Sequence, residues 1–374
     1  MPFKWERVHI IEMTFLVFAG VQIVYLAIYL KAFNKVKEDG NELSVPVSVI
    51  VCAHDEEQNL RDLIPMLLQQ DYVDYEIIVV EDRSNDGSFD YLYGLANQHH
   101  QLRMIPVKSK PDHVNGKKFA LTLGIKAAKH DWVLLTDADC MPQSNQWIKE
   151  MSSQFSNDTD IVLGYSPYIK SSGFLNSFIR YEGLTTAIQY AAMAMLGKPY
   201  MGVGRNLAYR KNIFLNNKGF RSHLSVTGGD DDLFINEVCK GSNTKLCVGV
   251  NSIVYSKPKT TWSEYYFQKL RHLSVGKHYK NIDKIRLGIF NLTLIGFWLL
   301  IIPALLNTSL IYIPLAAILL RLILLAVLAY TASRKLGEAF EAWKAPFLDF
   351  IFSIYYLVIG LVALLTNKVR WKKT

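Results

Sequence analysis

The chain contains the stretch Trp132-Val133-Leu134-Leu135-Thr136-Asp137-Ala138-Asp139, in which an apolar run leads into two carboxylates one residue apart. An apolar run bounded by polar residues is typical of a buried parallel strand. Carboxylates at the C-terminal end of such a strand lie at the sheet edge where open α/β sheets bind ligands. They are the hard oxygen ligands that Mg²⁺ or Mn²⁺ prefers when it also holds a diphosphate. Because Asp-x-Asp is also common in turns, the interpretation depends on the rest of the chain.

Hydrophobic residues make up 50% of this 374-residue chain, and they are concentrated near its two ends. The apolar runs are 10–30, 287–306, 310–330 and 346–365, each roughly long enough to cross a bilayer. These runs predict the following organisation: an N-terminal segment 1–9, an anchor 10–30, a catalytic domain 31–286, C-terminal transmembrane helices 287–366 and a basic tail 367–374. The first run is interpreted as a retained anchor, since it is long for a signal peptide and no small-x-small cleavage site follows it.

The formal net charge is +8, and basic residues cluster beside the apolar runs. The clustered residues are Lys31, Lys35, Lys37, Lys368, Arg370, Lys372 and Lys373. Their positions favour anchoring and contact with anionic membrane lipids over a nucleic-acid partner, for which no motif is present. The four cysteines show no Cys-x-x-Cys pair, which is typical of buried small hydrophobes in a reducing compartment.

The membrane topology contains a conflict. If the catalytic domain faces the cytosol, three full C-terminal spans place the basic tail outside, against the positive-inside tendency. One run could therefore be interfacial or re-entrant. The charged Arg321 makes the run 310–330 the one that would not span the membrane, unless this side chain faces protein.

The middle of the chain alternates between strand and helix patterns. Strands are predicted at 45–51, 76–80 and 132–135, with helices at 56–70 and 117–129 between them. This alternation indicates a parallel sheet with helices on both faces. A further helical pattern, Phe174 to Leu196, has two open interpretations: an ordinary core helix, or a helix at the membrane interface.

Acidic residues follow three of these strands. They occur in Ala53-His54-Asp55-Glu56-Glu57, in Glu81-Asp82 and in Asp137-Ala138-Asp139. Helix capping explains any one of these groups well but all of them together poorly. Gly116-Lys117-Lys118 adds a flexible loop with a cation that suits a phosphate or an acidic neighbour, although a plain surface lysine is an equal alternative.

Together these motifs resemble those of the family 2 glycosyltransferases with the GT-A fold. The matching stretches are Val47 to Leu60, with Asp55 where Asn is usual; Ile77 to Ser88; Gly116 to Leu121; Asp137-Ala138-Asp139; Gly202 to Arg210; Gly228 to Leu233, with Gly229 for the customary Glu; and Gln268 to His272, with His272 for Trp. The resemblance covers about 230 residues in the right order. It implies an α/β, Rossmann-like, mostly parallel sheet flanked by transmembrane helices, with a nucleotide-binding half 31–140 and an acceptor half 141–286 with interfacial helices.

The resemblance also implies roles for individual residues. The residues it implies for nucleotide-sugar binding are Ala53, Asp55, Glu56, Asp82, Lys117, Asp137, Ala138, Gln268 and Arg271. Asp137 and Asp139 would hold a Mg²⁺ or Mn²⁺ ion, and Asp230 would be the base that activates the acceptor. Acceptor binding is implied for Asn206, Asp231 and Asp232. The residues themselves leave alternatives. Asp230 to Asp232 could be a solvated helix start, Arg271 a juxtamembrane cation, and Asn206 part of a strand and turn.

The function that follows is single-displacement, inverting transfer of a sugar, because no residue is a convincing covalent nucleophile. A UDP-sugar is the favoured donor and a GDP-sugar the alternative, with a lipid or saccharide acceptor in cell-surface glycan synthesis. The expected location is a bacterial inner membrane with the catalytic domain in the cytoplasm. Two other functions stay open: a processive synthase that exports its polymer, and a non-enzymatic membrane scaffold or transporter.

Overall fold

The computed structural model of the protein describes residues 2–36, 45–112 and 114–366. Lys37 and the predicted basic tail 367–374 lie outside these ranges. The strands are β1 Val47–Ala53, β2 Tyr75–Glu81, β3 Leu102–Pro106, β4 Trp132–Asp137, β5 Cys140–Pro142, β6 Ile161–Leu163, β7 Leu207–Arg210, β8 Thr244–Leu246 and β9 Val254–Ser256. The helices are α1 Pro2–Asn34, α2 Glu57–Leu68, α3 Ser88–Ala96, α4 Gly116–Ala127, α5 Trp147–Ser152, α6 Phe174–Met195, α7 Lys211–Asn216, α8 Asp232–Val238, α9 Trp262–Val275, α10 Asn281–Asn307, α11 Tyr312–Lys335 and α12 Ala345–Leu365. Helix α1 begins at Pro2, so the predicted segment 1–9 continues directly into the anchor.

Residues 45–280 form an α/β domain around a seven-stranded sheet with the order β3-β2-β1-β4-β7-β6-β8. The first four strands in this order are parallel, β7 is antiparallel to β4 and β6, and β6 is parallel to β8. Cys52 of β1 lies opposite both Val80 of β2 and Asp137 of β4. The C-terminal ends of these three strands therefore meet at one edge, and the mostly parallel sheet is confirmed.

The alternation of β1 distributes its side chains to two cores. Val49 and Val51 belong to one cluster with Leu63 of α2. Ile50 belongs to the other with Ile125 of α4. All five side chains are fully buried, which fixes the register of β1 because a shift by one residue would exchange the two faces.

Four helical segments of the described chain are long and apolar enough to cross a membrane: Ile10–Asn34, Asn281–Asn307, Tyr312–Lys335 and Ala342–Leu365. The hydroxyl of Thr308, after α10, donates to Glu12 of α1 at 2.8 Å. At the other end of α1, the Lys335 ammonium of α11 donates to the carbonyl of Val36 at 3.5 Å. Helix α1 is therefore tied to the α10–α11 connection near one end and to the end of α11 at the other.

Arg321 of α11 faces protein. It is 1% exposed, and its Nη1 lies 2.7 Å from the Asp349 carboxylate of α12. Its Nη2 donates to Gln22 of α1 at 3.1 Å. A buried charge is tolerated inside a bundle when it is paired in this way. The predicted reason to doubt the run 310–330 is therefore removed.

The last apolar run is the unusual one, because both ends of α12 contact the α/β domain. Just before α12, Glu338 pairs with Arg180 of α6 at 2.9 Å. Just after it, the carbonyl of Thr366 accepts from the Lys277 ammonium at 2.8 Å. Helix α12 thus starts and finishes beside the same domain.

Helix α6 is a core helix, and its position at a membrane interface stays a prediction. The Tyr190 hydroxyl near its C-terminal end donates to the carbonyl of Gly164 beside the sheet, at 2.8 Å. The Tyr181 hydroxyl donates to Asp349 of α12 at 2.9 Å. The helix therefore packs in the core of the α/β domain and also joins that domain to the apolar helices.

Candidate active site

A small, partly open cleft lies at the C-terminal edge of the parallel strands. Its lining comes from the ends of β1 and β4, the start of α4 and the segment before α8: Cys52, Lys117, Leu121, Leu135, Thr136, Asp137, Gly204, Asp230 and Asp231. Burial raises the pKa of the Cys52 thiol; Lys117 lowers it, and Asp137, Asp230 and Asp82 raise it further. These charged groups therefore share one neighbourhood, as the three acidic strand ends predicted.

Lys117 joins two of the predicted motifs. Its Nζ lies 2.9 Å from Asp137 at the end of β4 and 3.2 Å from Asp230 before α8. The loop is placed by Asn115, whose side chain caps α4 by accepting from the backbone N–H groups of Lys117 and Lys118. Burial lowers the pKa of Lys117, but Asp137 and Asp230 outweigh this and hold it well above its ordinary value. Lys117 is therefore a cation shared by two carboxylates, not a surface lysine.

Asp230 is 5% exposed and lies after two glycines in left-handed conformations. Gly228 has φ +90° and Gly229 has φ +78°, a region that side chains with a Cβ rarely adopt. A Cβ on Gly229 would also lie 2.6 Å from Leu233. This explains why glycine stands where the resembling family has Glu. Burial raises the pKa of Asp230, but Lys117, a backbone hydrogen bond and Lys118 together lower it more, so Asp230 is a carboxylate at neutral pH.

We expect Gly229→Ala to lower the sugar transfer that the motifs predict at least tenfold, since the strained turn would move Asp230 away from Lys117 and small displacements of a catalytic group are costly. Gly94→Ala is the matched control, because a Cβ there meets nothing within 4 Å. Initial rates of both purified variants check this. Equal rates would show that the turn does not position Asp230.

The two carboxylates after Asp230 have protein partners. Asp231 accepts from the backbone N–H groups of Gly204 at 2.7 Å and Asp232 at 2.8 Å, so it caps α8 while lining the cleft. Asp232 accepts from the Tyr279 hydroxyl at 2.8 Å. Burial raises the pKa of both carboxyl groups. The neighbouring Asp230 raises that of Asp231 further, and Asp231 raises that of Asp232. The helix-start alternative therefore holds for Asp231, and its acceptor role stays a prediction. Asp232 is turned toward Tyr279 rather than into the cleft.

Asp137 and Asp139 fit a divalent cation that is also held by a ligand. Burial raises the pKa of Asp139, and the adjacent Asp137 carboxylate raises it further, which shows that negative charge is concentrated here. No group of three or more metal-binding side chains occurs in the described ranges. The protein thus supplies two hard oxygen donors, and a diphosphate would complete the coordination. Ala138, between them, is buried.

The far end of the site follows β1 and β2. Asp82 is 7% exposed, accepts from Arg83 at 2.8 Å, and its backbone N–H donates to the carbonyl of Ala53. A Cβ on Gly116 would lie 2.8 Å from the Asp82 carboxylate, so the loop that carries Lys117 closes against Asp82.

The acidic turn after β1 is also held at this end. Asp55 has φ +55° and accepts from the backbone N–H of Asn85 at 2.7 Å. The backbone N–H of Glu56 donates to the Ser88 hydroxyl at 3.2 Å. The turns after β1 and β2 are therefore bonded together.

Asn206 does not reach the cleft, and the predicted acceptor contact is wrong in this structure. Its side chain is fully buried, accepts from the Trp147 indole at 3.0 Å, and donates to the carbonyls of Tyr165 and Ser252 at 2.8 Å each. Both N–H groups of its side-chain amide therefore donate to protein carbonyls. The strand-and-turn alternative is the right one.

Arg205 is not among the predicted site residues, because the resemblance assigns a role in this stretch to Asn206 only. Burial lowers its pKa, but Tyr168, Cys140, Asp137 and Asp139 raise it more, and the net pKa is above its ordinary value. The only signal in the sequence was a cation beside Gly204, which does not reveal proximity to Asp137.

Helix α9 packs on the turn that leads into Asp230. A Cβ on Gly228 would lie 3.3 Å from Val275 and 3.8 Å from Arg271, so α9 packs on the glycine turn before Asp230. The Oε1 atom of Gln268 is buried without a hydrogen-bond partner in the described protein. The predicted pair Gln268 and Arg271 is therefore carried by the helix that covers this turn.

Comparisons with known proteins agree with this geometry. The model of the family described as Glycosyl transferase family 2 matches residues 48–215. A poly-beta-1,6-N-acetyl-D-glucosamine synthase of Staphylococcus epidermidis is 28% identical over 120 residues, covering 31% of this chain and 28% of that protein. The probable glycosyltransferase YdaM of Bacillus subtilis is 32% identical over 258 residues, covering 63% of this chain and 56% of that protein. The chain thus spans about half or less of the length of these relatives.

A solved structure shares the fold. A mannosyltransferase from Pyrobaculum calidifontis, in complex with GDP-Man and Mn²⁺, matches with a TM-score of 0.59 over 96% of this chain and 99% of that chain, at 17% identity. At this identity the likeness bears on the fold alone. Residues 48–215, a little under half of the chain, thus match the model of glycosyl transferase family 2, and the α/β domain has the GT-A fold.

Proposed function

We propose that the protein is a membrane-bound inverting glycosyltransferase that moves a sugar from a nucleotide-sugar donor to a lipid or saccharide acceptor in cell-surface glycan synthesis. One observation carries this proposal: Lys117 bridges Asp137 and Asp230 within a single cleft at the end of the parallel strands. A metal-type acidic pair and a buried candidate base are thereby held within reach of one ligand. Such an arrangement suits group transfer from a diphosphate.

The donor would lie along the sheet edge. Asp82, just after β2, would bind the base together with the turn at Asp55 and Glu56. Lys117 and Arg271 are the cations for the diphosphate. Mg²⁺ or Mn²⁺ on Asp137 and Asp139 would stabilise the negative charge of the leaving nucleoside diphosphate.

Asp230 would take the proton of the attacking acceptor hydroxyl. In the structure its carboxylate is paired with Lys117, which lowers its basicity. Arrival of a diphosphate would give Lys117 a new anionic partner and release Asp230. The base would then become available only when the donor is bound.

The membrane arrangement follows from the helix ends. Helices α1, α10 and α11 would cross the bilayer, while α12 would lie along the base of the α/β domain, since both of its ends contact that domain. Its exposed positions Phe347, Ile354, Val358 and Leu361 are apolar and spaced to form one lipid-facing stripe. The tail after residue 366 would then stay on the cytoplasmic side, in agreement with the positive-inside tendency.

A donor panel tests the proposed function. Purified full-length protein is incubated with UDP- and GDP-linked sugars, Mn²⁺ or Mg²⁺, and membrane lipid extract, and nucleotide release is measured. We expect release from one donor class, with a UDP-sugar as the favoured choice, and loss of release when EDTA is added. No release from any donor, with the protein folded and lipid present, would contradict the proposal.

A further inference from the structure

Arg205 carries a buried guanidinium nitrogen that the described protein does not satisfy. Its Nη1 atom is shielded from solvent and has no hydrogen-bond partner. The guanidinium carbon lies 4.6 Å from the centre of the Tyr168 ring. A buried charged donor without a partner is unfavourable and calls for a specific cause. Because the adjacent Gly204 lines the cleft, the simplest cause is a ligand atom that completes the bonding.

Two further buried hydroxyls without partners belong to residues at or next to this cleft. They are the hydroxyls of Thr136 and Tyr209. Thr136 lines the cleft, and the Tyr209 hydroxyl is within electrostatic range of Asp230. Two of the unpartnered buried atoms thus lie at or next to the opening, where a polar ligand could satisfy them.

The backbone on both sides of Arg205 is held rigidly. The N–H of Gly204 donates to Asp231 at 2.7 Å. The side chain of Asn206 is held by Trp147, Tyr165 and Ser252. Because the Tyr168 ring also packs against its face, the guanidinium is held in position before any ligand binds. A rigid planar guanidinium is suited to bind two oxygens of one phosphate.

The charges near Arg205 favour an anionic ligand that arrives with a metal. Asp137 and Asp139 both act on the guanidinium electrostatically. A divalent cation on these two carboxylates would satisfy them. Arg205 would then be left beside the metal with no counter-charge, until a phosphate group supplied one.

Resting on the proposed glycosyltransferase function, we propose that Arg205 is a phosphate-binding residue whose free Nη1 donates to a phosphate oxygen in the cleft. The phosphate would belong to the donor diphosphate or to a phosphorylated lipid acceptor. Both present the same chemistry to the guanidinium, and binding measurements can separate them.

The test uses purified full-length protein with Mn²⁺ and two variants of this position. Arg205→Met removes the charge and keeps the length, and Arg205→Lys keeps the charge but loses the planar fork. Lys126→Met is the matched control, because it removes one exposed cation from the far end of α4. Calorimetry compares UDP and GDP with uridine and guanosine, and a short polyprenyl phosphate with its alcohol.

We expect Arg205→Met to weaken one phosphate-bearing probe about tenfold or more, with a smaller loss for Arg205→Lys and none for Lys126→Met. Binding of the matching phosphate-free probe should not change. Loss in the nucleotide arm assigns Arg205 to the donor, and loss in the lipid arm assigns it to the acceptor.

Two results would overturn the inference while leaving the proposed function intact: unchanged binding of both phosphate probes, or equal loss for probes with and without phosphate, which indicates a structural role. If the unaltered protein binds neither the nucleotides nor the lipid phosphate, the proposed function fails as well.

Discussion

Replacing the candidate base by Asp230→Asn is expected to reduce sugar transfer on the order of 10²–10⁴-fold, the usual contribution of a general base. The amide keeps the size of the side chain but accepts no proton. Donor binding should persist, because Lys117 retains Asp137 as a partner at 2.9 Å. Initial rates and nucleotide affinity of the same preparation check both parts.

Asp90→Asn is the matched control for this variant. Asp90 is an exposed carboxylate on α3, outside the cleft lining, so its loss should leave transfer unchanged. An Asp230→Asn protein that transfers sugar at the rate of the control would remove Asp230 from the mechanism. A fall in nucleotide affinity as large as the fall in rate would assign Asp230 to donor binding instead.

Asp139→Asn is expected to reduce transfer roughly 10²-fold or more, because a metal ligand supports several kcal/mol of charge stabilisation in group transfer. This position separates metal binding from the lysine bridge, since Lys117 pairs with Asp137 and not with Asp139. Chelation by EDTA should reduce the unaltered protein to a similar rate and should have little further effect on the variant. Rates measured across a Mn²⁺ titration test this.

Two outcomes of the titration would contradict the metal role of Asp139. One is a variant that keeps the full rate and the same Mn²⁺ dependence as the unaltered protein. The other is a variant that loses activity but is still inhibited as strongly by EDTA, which would place the metal elsewhere.

The parallel half of the sheet was predictable because its signals are local. The strands β1, β2 and β4 are continuous apolar runs followed by acidic residues, and parallel pairing necessarily brings those ends together. The structure places Cys52 opposite Asp137 and shows the predicted meeting of carboxylates. The family resemblance added the role of Asp230, which lies about 90 residues later in the chain.

The antiparallel half was not predictable in the same way. Strand β6 has three residues and β7 has four, and their pairing depends on contacts between distant parts of the chain. Such short strands carry too few residues for a periodic pattern. Asn206 was misplaced for this reason, because its position just before β7 turns its side chain into the core.

The membrane segments show a similar division. Length and composition located all four apolar helices. They did not distinguish a spanning helix from one that lies along a domain, since α12 is as apolar as the others. The proposed placement of α12 rests on tertiary contacts at Glu338 and Thr366. The sequence does not show that Arg321 is paired, because its partner Asp349 lies on another helix.

A structure of the full-length protein bound to Mn²⁺ and the nucleotide sugar selected by the donor panel would show whether one ligand reaches all three acidic strand ends. We predict the base beside Asp82, the diphosphate between Lys117 and the pair Asp137 and Asp139, and the sugar facing Asp230. A nucleotide bound away from this cleft, or bound with Asp82 and Asp230 facing different cavities, would contradict the proposed glycosyltransferase site.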